Sequence, residues 1–152
     1  METMPRLAAL LMVVPTAIWA GAIFFYAVER VNLWARMPLD QYVVDFRRSL
    51  YRSDPLQPIL GILAVIGCVV FALTTGGAAS AWAWSGALLI VAVIVFSIAL
   101  PERINSQFRR RPEGEVPPNA AELRRRWRLF HFIRTVPAIA APLCVVLATT
   151  FA

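Results

Sequence analysis

Lysine is absent from this chain of 152 residues, and histidine occurs once. All fifteen basic residues are therefore arginine, a bias that is typical of a GC-rich bacterial genome rather than of a particular chemistry. One histidine is too few for a bis-histidine haem within a single chain. It is also too few for a carboxylate-bridged di-iron bundle, which needs Glu-x-x-His pairs on two helices. The sequence thus predicts no cofactor of either kind.

Cysteine is scarce as well, and both copies, Cys68 and Cys144, lie inside apolar stretches. A free cysteine in such surroundings usually behaves as a small buried hydrophobic residue. We therefore expect two core residues rather than a disulfide or a metal-binding pair.

Charged residues are missing from three long stretches, 7–28, 55–101 and 135–152. A membrane-spanning helix needs about 20 residues, so the middle stretch is long enough for two helices and a turn. Hydrophobic residues make up 59% of the chain and the mean hydropathy is +0.65, whereas soluble domains are about 45–50% apolar. These features predict an all-α protein, a four-helix transmembrane bundle that forms a single integral membrane domain over residues 1–152.

Glycine, proline and capping residues set the boundaries of the four spans. A Gly-Gly pair at 76–77 permits a tight turn, and Pro101 ends the third span. Asn119 followed by Glu122 has the pattern of a capping box, so the last helix begins near Ala120, in water. The first span is too long for the apolar region of a signal peptide and is predicted to be retained. The predicted spans, arranged as two helical hairpins, are about 5–28, 58–75, 80–100 and 129–151.

Arginine is concentrated in the two long loops, 29–57 and 101–128, and is missing from the turn at 74–80. The positive-inside rule places both arginine-rich loops in the cytoplasm and both termini outside. We therefore expect a multi-pass protein of the bacterial inner (plasma) membrane. In a soluble protein the net charge of +6 would suggest nucleic acid. Here the arginines flank apolar helices, so membrane lipid is the expected partner and nucleic acid is not.

The first of these loops contains an amphipathic stretch. Five apolar residues share one face at helical spacing: Leu39, Tyr42, Val43, Phe46 and Leu50. Arg47 and Arg48 lie off that face. This pattern predicts a cytoplasmic amphipathic helix, which either lies among the lipid headgroups or caps the bundle.

The second span carries small residues at four-residue spacing, namely Ala64, Cys68, Ala72 and Gly76. Small residues so placed let membrane helices pack closely. The alternative is that alanine is simply frequent in this chain.

Trp127, His131 and Arg134 follow the spacing i, i+4, i+7, so they share one face of the last helix. His131 and Arg134 lie about one and two turns inside the membrane boundary predicted at Leu129. Ionisable residues at membrane depth are costly and usually face the bundle interior or a wet cavity, where they function. The alternative is that Arg134 extends to the headgroups and His131 only packs at the interface.

Two similar tetrapeptides, Glu-Arg-Val-Asn at 29–32 and Glu-Arg-Ile-Asn at 102–105, end the first and third spans. The arginines fit the positive-inside rule, but the glutamates and asparagines gain nothing from it. We therefore expect one or both pairs to turn inward toward His131 and Arg134. Glu29 facing Arg134 would neutralise the guanidinium and orient the imidazole.

These residues give the chain its resemblance to a known family. The short four-helix membrane architecture resembles the anthrone-oxygenase-like family of small integral membrane proteins, most of which have no assigned function. The features that carry the resemblance are Glu29, Pro101, Asn105, Asn119, Leu123 and the Trp-x3-His-x2-Arg pattern of Trp127, His131 and Arg134, with Arg126 before it. The family commonly has a Pro-Ala stretch after the first glutamate, whereas Arg30, Val31 and Asn32 stand here.

The resemblance implies oxidation of an anthrone to an anthraquinone by O2, without a metal or organic cofactor. In that chemistry His131 suits the role of base, because an imidazole titrates near neutral pH. Arg134 would stabilise the anion that forms, and Glu29 would orient His131 or Arg134. Asn105 would hydrogen-bond a substrate oxygen and Trp127 would offer an aromatic face. Asn32 and Glu102 complete the predicted substrate-binding residues.

Three other hypotheses remain open at this stage. The chain could be a non-catalytic structural or assembly subunit of a membrane complex, or a self-associating homo-oligomer. A transporter fits less well, because no acidic residue or broken helix lies at mid-membrane. A mononuclear metal site could use Glu29, Glu102, Asn105 and His131. A cavity lined by Glu29, His131 and Arg134 and large enough for a multi-ring molecule favours an enzyme, whereas a dry, filled pairing of these residues favours a structural subunit.

Overall fold

A computed structural model describes the chain from Thr3 to Ala152, with side chains from Arg6 onward, and within this part all regular structure is helical. One helix contains a π-helical segment, at Tyr26–Arg30. The α-helices in chain order are α1 (Thr3–Phe25), α2 (Val31–Arg36), α3 (Leu39–Arg52), α4 (Leu56–Thr74), α5 (Gly77–Ala99), α6 (Pro101–Arg109) and α7 (Ala120–Thr150).

Four of these helices, α1, α4, α5 and α7, are long and apolar enough to cross a membrane, which confirms the predicted number of membrane helices. Helix α1 packs against α4 and α7, and α5 packs against the same two helices. The sides of the bundle carry large exposed apolar residues, for example Leu73 at 73% and Val136 at 71%. Such a surface matches a lipid solvent rather than water.

Small residues bring α1 and α4 into close contact. A Cβ atom on Gly67 would lie 2.4 Å from the backbone nitrogen of Met12 and 2.5 Å from the carbonyl carbon of Leu11. Ala64 and Cys68, from the predicted small-residue stripe, are fully buried beside it. The two backbones therefore meet at a point where only glycine fits.

Helix α3 closes one end of the bundle through an aromatic cluster. The ring of Phe46 lies 4.9 Å from that of Phe108 and 5.2 Å from those of Trp34 and Trp127. Of the five residues predicted to share a face, Tyr42, Val43, Phe46 and Leu50 are buried. The amphipathic stretch thus packs its apolar face against α2, α6 and α7 and caps the bundle.

Two local predictions differ from the structure. The first helix does not end near Val28 as predicted, because the π-helical segment and α2 continue it to Arg36. Asn119 precedes α7 as predicted, but its side chain makes no capping hydrogen bond. Glu122 instead accepts hydrogen bonds from Arg125 and Arg126, so the predicted capping box is wrong. A guanidinium within reach is the stronger partner for an exposed carboxylate.

Candidate functional site

Trp127, His131 and Arg134 lie together on the inner face of α7, as their spacing predicts. The imidazole stacks on the indole with ring centroids 4.8 Å apart and planes at 23°. The Arg134 guanidinium carbon lies 5.8 Å from the centre of the same indole ring. His131 is fully buried and Trp127 nearly so, which fixes the orientation of the whole group.

Hydrogen bonds fix the tautomer of His131. Its Nδ1 lies 3.0 Å from Nη2 of Arg134, and its Nε2 lies 3.1 Å from the carbonyl oxygen of Ile23. A guanidinium can only donate, so Nδ1 accepts and Nε2–H donates to the carbonyl. The imidazole is therefore neutral in this arrangement. Ile23 lies just before the π-helical segment, a type of irregularity that is frequent at functional sites.

Arg134 brings a partly buried guanidinium into the bundle without a direct ion pair. Its Nη1 donates to the hydroxyl of Ser97 at 3.2 Å, and its Nε is buried with no hydrogen-bond partner in the part of the chain that the structure describes. Over residues 6–152, no carboxylate oxygen lies within 4 Å of this guanidinium. An anion that reached this group would therefore meet a positive charge that no described carboxylate contacts directly.

The tetrapeptide at 29–32 does not take part in these contacts. Glu29 pairs with the neighbouring Arg30 at 3.2 Å, and 45% of its side chain is exposed. Asn32 donates to the backbone carbonyl of Val28 in its own helix. The expected contact between Glu29 and Arg134 is therefore not formed, because the carboxylate meets an adjacent guanidinium at the solvated rim instead.

The tetrapeptide at 102–105 does turn inward. Asn105 is buried, and its Oδ1 accepts a hydrogen bond from Nε1 of Trp127 at 3.0 Å. Its Nδ2 donates to Oε2 of Glu102 at 3.2 Å and to Oδ2 of Asp54 at 3.3 Å. Asn105 thus connects the indole beneath His131 to two carboxylates.

Asp54 and Arg109 belong to this polar group and were missed in the sequence. Arg109 forms ion pairs with Glu102 and, at 3.6 Å, with Asp54. Burial raises the pKa of Asp54, whereas the positive charges of Arg134 and Arg109 lower it. The available signal was position, because Asp54 is the last charged residue before the stretch 55–101 and Arg109 lies two helical turns after its end.

A cavity of about 430 Å³ connects these groups. This volume lies within the range of about 300–1,000 Å³ that is usual for small-molecule sites. Its apolar walls come mainly from α1 and α5, with Trp19, Ile23, Val93, Ile94 and Ile98. Its polar lining consists of Asp54, Gln57, Ser97, Glu102, Asn105, Arg109 and Arg134. His131 and Trp127 stand behind Arg134 and Asn105 and do not line the cavity.

The four residues of the alternative metal site do not converge. Glu29 pairs with Arg30, whereas both ring nitrogens of His131 are engaged by Ile23 and Arg134. Among the described residues, no three of the His, Cys, Asp and Glu side chains cluster as metal ligands. Cys68 and Cys144 are both free.

Comparison with known proteins bears directly on this arrangement. No curated protein and no solved structure matches the chain. The sequence profile described as anthrone oxygenase matches residues 46–144, well over half of the chain. The match includes Asp54, Asn105, Trp127, His131 and Arg134, and it leaves out the tetrapeptide at 29–32. The chain therefore belongs to the anthrone oxygenase family.

Proposed function

We propose that this membrane protein is a cofactor-independent oxygenase or oxidoreductase that acts on an anthrone-like or hydroquinone-like polycyclic aromatic. The observation that carries the proposal is the cavity, which combines apolar walls with the guanidinium of Arg134. An apolar bundle also dissolves both O2 and a flat aromatic molecule. Membership of the anthrone oxygenase family supports this choice of reaction class.

The reaction begins when the substrate loses a proton and becomes an anion. For an anthrone, the overall change converts one methylene group and O2 into one carbonyl group and water. The anion that forms spreads its negative charge onto the substrate oxygen. A fixed cation in a site of low dielectric constant stabilises such a charge far more than water does.

Arg134 is proposed to bind this oxyanion. Its guanidinium lines the cavity and carries no carboxylate at contact distance among residues 6–152, so its charge is available to a ligand. His131 and Ser97 hold two of its nitrogens in place. This fixed geometry is what electrostatic stabilisation of a transition state requires.

Asn105 and Trp127 are proposed to shape the polar side of the site. The amide of Asn105 lines the cavity, and its two N–H groups donate to Asp54 and Glu102, so it can bind a substrate oxygen only by giving up one of these bonds. Trp127 supports Asn105 and His131 from behind, so its contribution to substrate binding is indirect. Glu102 anchors Arg109 at the same wall.

The role of His131 as the base stays a prediction. Its Nδ1 lone pair accepts the hydrogen bond from Arg134, so the imidazole can take up a proton only when that bond opens. Glu29 and Asn32 lie away from the cavity, and no contact supports a catalytic or substrate-binding role for them.

The proposed setting is the bacterial inner membrane, with the chain folded as two helical hairpins. The arginine-rich segments 29–57 and 101–128 are assigned to the cytoplasm and both termini to the outside. On this topology α3 is a cytoplasmic cap, and the polar rim of the cavity lies near the inner headgroups. A lipid-dissolved substrate reaches such a site without crossing water.

The alternative, a non-catalytic structural or assembly subunit, predicts that the buried arginine is packed against a carboxylate in a filled interior. Of Glu29, His131 and Arg134, Arg134 alone lines the cavity, and the open space at its guanidinium supports the enzyme.

O2 uptake by the purified protein tests the proposal. With anthrone as substrate, the wild type should consume O2 above the spontaneous rate, and Arg134→Gln should lower this rate by at least about 100-fold. Arg126→Gln is the matched control, because Arg126 lies on the same helix with an exposed side chain paired to Glu122. Uptake no faster than that of the buffer alone would refute the proposed activity.

A further inference from the structure

We infer that Asp54 is the group that removes the proton from the substrate, an inference that rests on the proposed function. The cavity is lined by two carboxylates, Asp54 and Glu102, and by two guanidinium groups that remain protonated at any physiological pH. A base must touch the proton that it removes. The choice therefore lies between the two carboxylates.

Glu102 is fully engaged by its neighbours. Its Oε1 pairs with Nη2 of Arg109, and its Oε2 accepts a hydrogen bond from Asn105. Taking up a proton would break at least one of these charge-assisted contacts, which are stronger than neutral hydrogen bonds. Glu102 is therefore an anchor for Arg109 and Asn105.

One carboxylate oxygen of Asp54 is hydrogen-bonded, and the other accepts no hydrogen bond from the described residues. Its Oδ2 accepts a hydrogen bond from Asn105 and faces Arg109, whereas no hydrogen bond or ion pair ends on Oδ1 over residues 6–152. The side chain lines the cavity and is about two-thirds buried. One anchored oxygen fixes the carboxylate plane while the other remains able to accept a proton.

The backbone also places Asp54 firmly. It lies in the short turn between α3 and α4, where the Leu56 amide donates to the carbonyl of Ser53 at 3.2 Å. Pro55 follows directly and restricts the backbone of Asp54 to a narrow range. A base on a constrained turn needs little reorganisation when the substrate binds.

The charges around Asp54 suit a base that works beside an anion. Arg109 and Glu102 face it from α6, and Arg134 acts on it from α7. Burial raises the pKa of Asp54 and makes proton uptake easier, whereas the two guanidiniums favour the ionised carboxylate. These opposing effects leave Asp54 a stronger base than a solvated aspartate paired with the same arginines.

In the proposed step, the C–H or O–H bond of the substrate breaks and its proton forms a bond to Oδ1 of Asp54. The electron pair stays on the substrate, which becomes an enolate or phenolate with its oxygen at Arg134. Asp54 releases the proton again when the product leaves. The substrate class is thus an aromatic carbon acid or phenol whose acidic hydrogen and oxygen can contact both groups.

Asp54→Asn removes the base and keeps the shape of the side chain. We expect kcat for anthrone oxidation to fall by about 100-fold to 10,000-fold, the usual contribution of a general base. The affinity for anthraquinone, measured by quenching of tryptophan fluorescence, should change by less than about threefold. Asp54→Glu should retain more activity than Asp54→Asn. Asp40→Asn, the same change at an exposed position in the first turn of α3, is the matched control.

A second measurement isolates the proton step from the oxygen step. Under anaerobic conditions in D2O, the wild type should accelerate exchange of the anthrone methylene protons, and Asp54→Asn should not. Exchange by the wild type that is lost in Asp54→Asn, with no O2 uptake by the wild type in air, would support the base and refute the oxygenase. O2 uptake and exchange by Asp54→Asn within threefold of wild type would refute the base and leave the oxygenase intact. Neither activity in the wild type would refute both.

Discussion

Arg134 donates Nη2–H to Nδ1 of His131 across 3.0 Å, and His131 donates Nε2–H to the carbonyl of Ile23 across 3.1 Å. This chain of two hydrogen bonds ties the cavity-lining guanidinium of α7 to the backbone of α1. The imidazole is placed to hold Arg134 in position, since it stands behind the guanidinium and does not line the cavity.

If His131 only positions Arg134, replacing the imidazole should cause a modest loss of catalytic efficiency. His131→Gln should lower kcat/KM for anthrone oxidation by about tenfold, because one buried hydrogen bond contributes about 0.5–1.5 kcal/mol. Because Asp54 must be ionised to act as the base, kcat of the wild type should decrease at low pH. This decrease should persist in His131→Gln and vanish in Asp54→Asn. A loss of 100-fold or more in His131→Gln, together with disappearance of this decrease, would instead make the imidazole the base.

The hydrogen bond between Trp127 and Asn105 should contribute measurably to the free energy of unfolding. Trp127→Phe keeps most of the ring but leaves the buried Oδ1 of Asn105 without its donor, at a cost of about 1–3 kcal/mol. Thermal unfolding in detergent should show a melting temperature lower by about 2–4 °C per kcal/mol. The control Trp82→Phe changes a partly exposed tryptophan and should leave the melting temperature unaltered. Equal melting temperatures for both variants would show that this hydrogen bond does not stabilise the fold.

The contact of α1 with α4 at Gly67 should tolerate no added methyl group. Gly67→Ala places a Cβ against the backbone of Met12 and Leu11, and overpacking of this kind costs about 1–3 kcal/mol. Gly21→Ala is the matched control, because its Cβ would meet no atom within 4 Å. The Gly21 variant should match or exceed the wild type in thermal stability, since alanine favours a helix. A stable Gly67→Ala protein would disprove close backbone packing at this point.

The proposed topology predicts opposite labelling of two exposed positions. In a background with Cys68 and Cys144 replaced by alanine, Gly76→Cys lies between α4 and α5 and Glu113→Cys lies between α6 and α7. A membrane-impermeant maleimide added to spheroplasts should label position 76 and spare position 113 until the membrane is opened. The reverse pattern would invert the topology and place α3 outside the cell.

The number of membrane helices and the shared face of the site residues on α7 could be predicted, because both follow from patterns along the sequence. The charge-free stretches gave the four apolar helices, because a spanning helix has a required length and composition. The face shared by Trp127, His131 and Arg134 followed from helical geometry alone. The start of α7 at Ala120 also agrees with its prediction, although the expected side-chain cap is not formed.

The contacts that the site residues make with one another could not be predicted from one sequence. Asp54 comes to the cavity from the turn before α4, and its neighbours Asn105 and Arg134 come from α6 and α7. These contacts depend on how the helices pack and rotate, which residue spacing does not fix. The π-helical segment at Tyr26–Arg30 likewise has no signature in the sequence, and Glu29 within it meets Arg30 rather than Arg134.

Isotope labelling with 18O2 tests the central claim most directly. The purified wild-type protein, given anthrone under 18O2 in unlabelled water, should form anthraquinone that carries one 18O atom in its new carbonyl group. Arg134→Gln should yield little labelled product above the spontaneous background, and Arg126→Gln should match the wild type. Product formed by the wild type no faster than without protein, or with its new oxygen taken from water, would contradict the account.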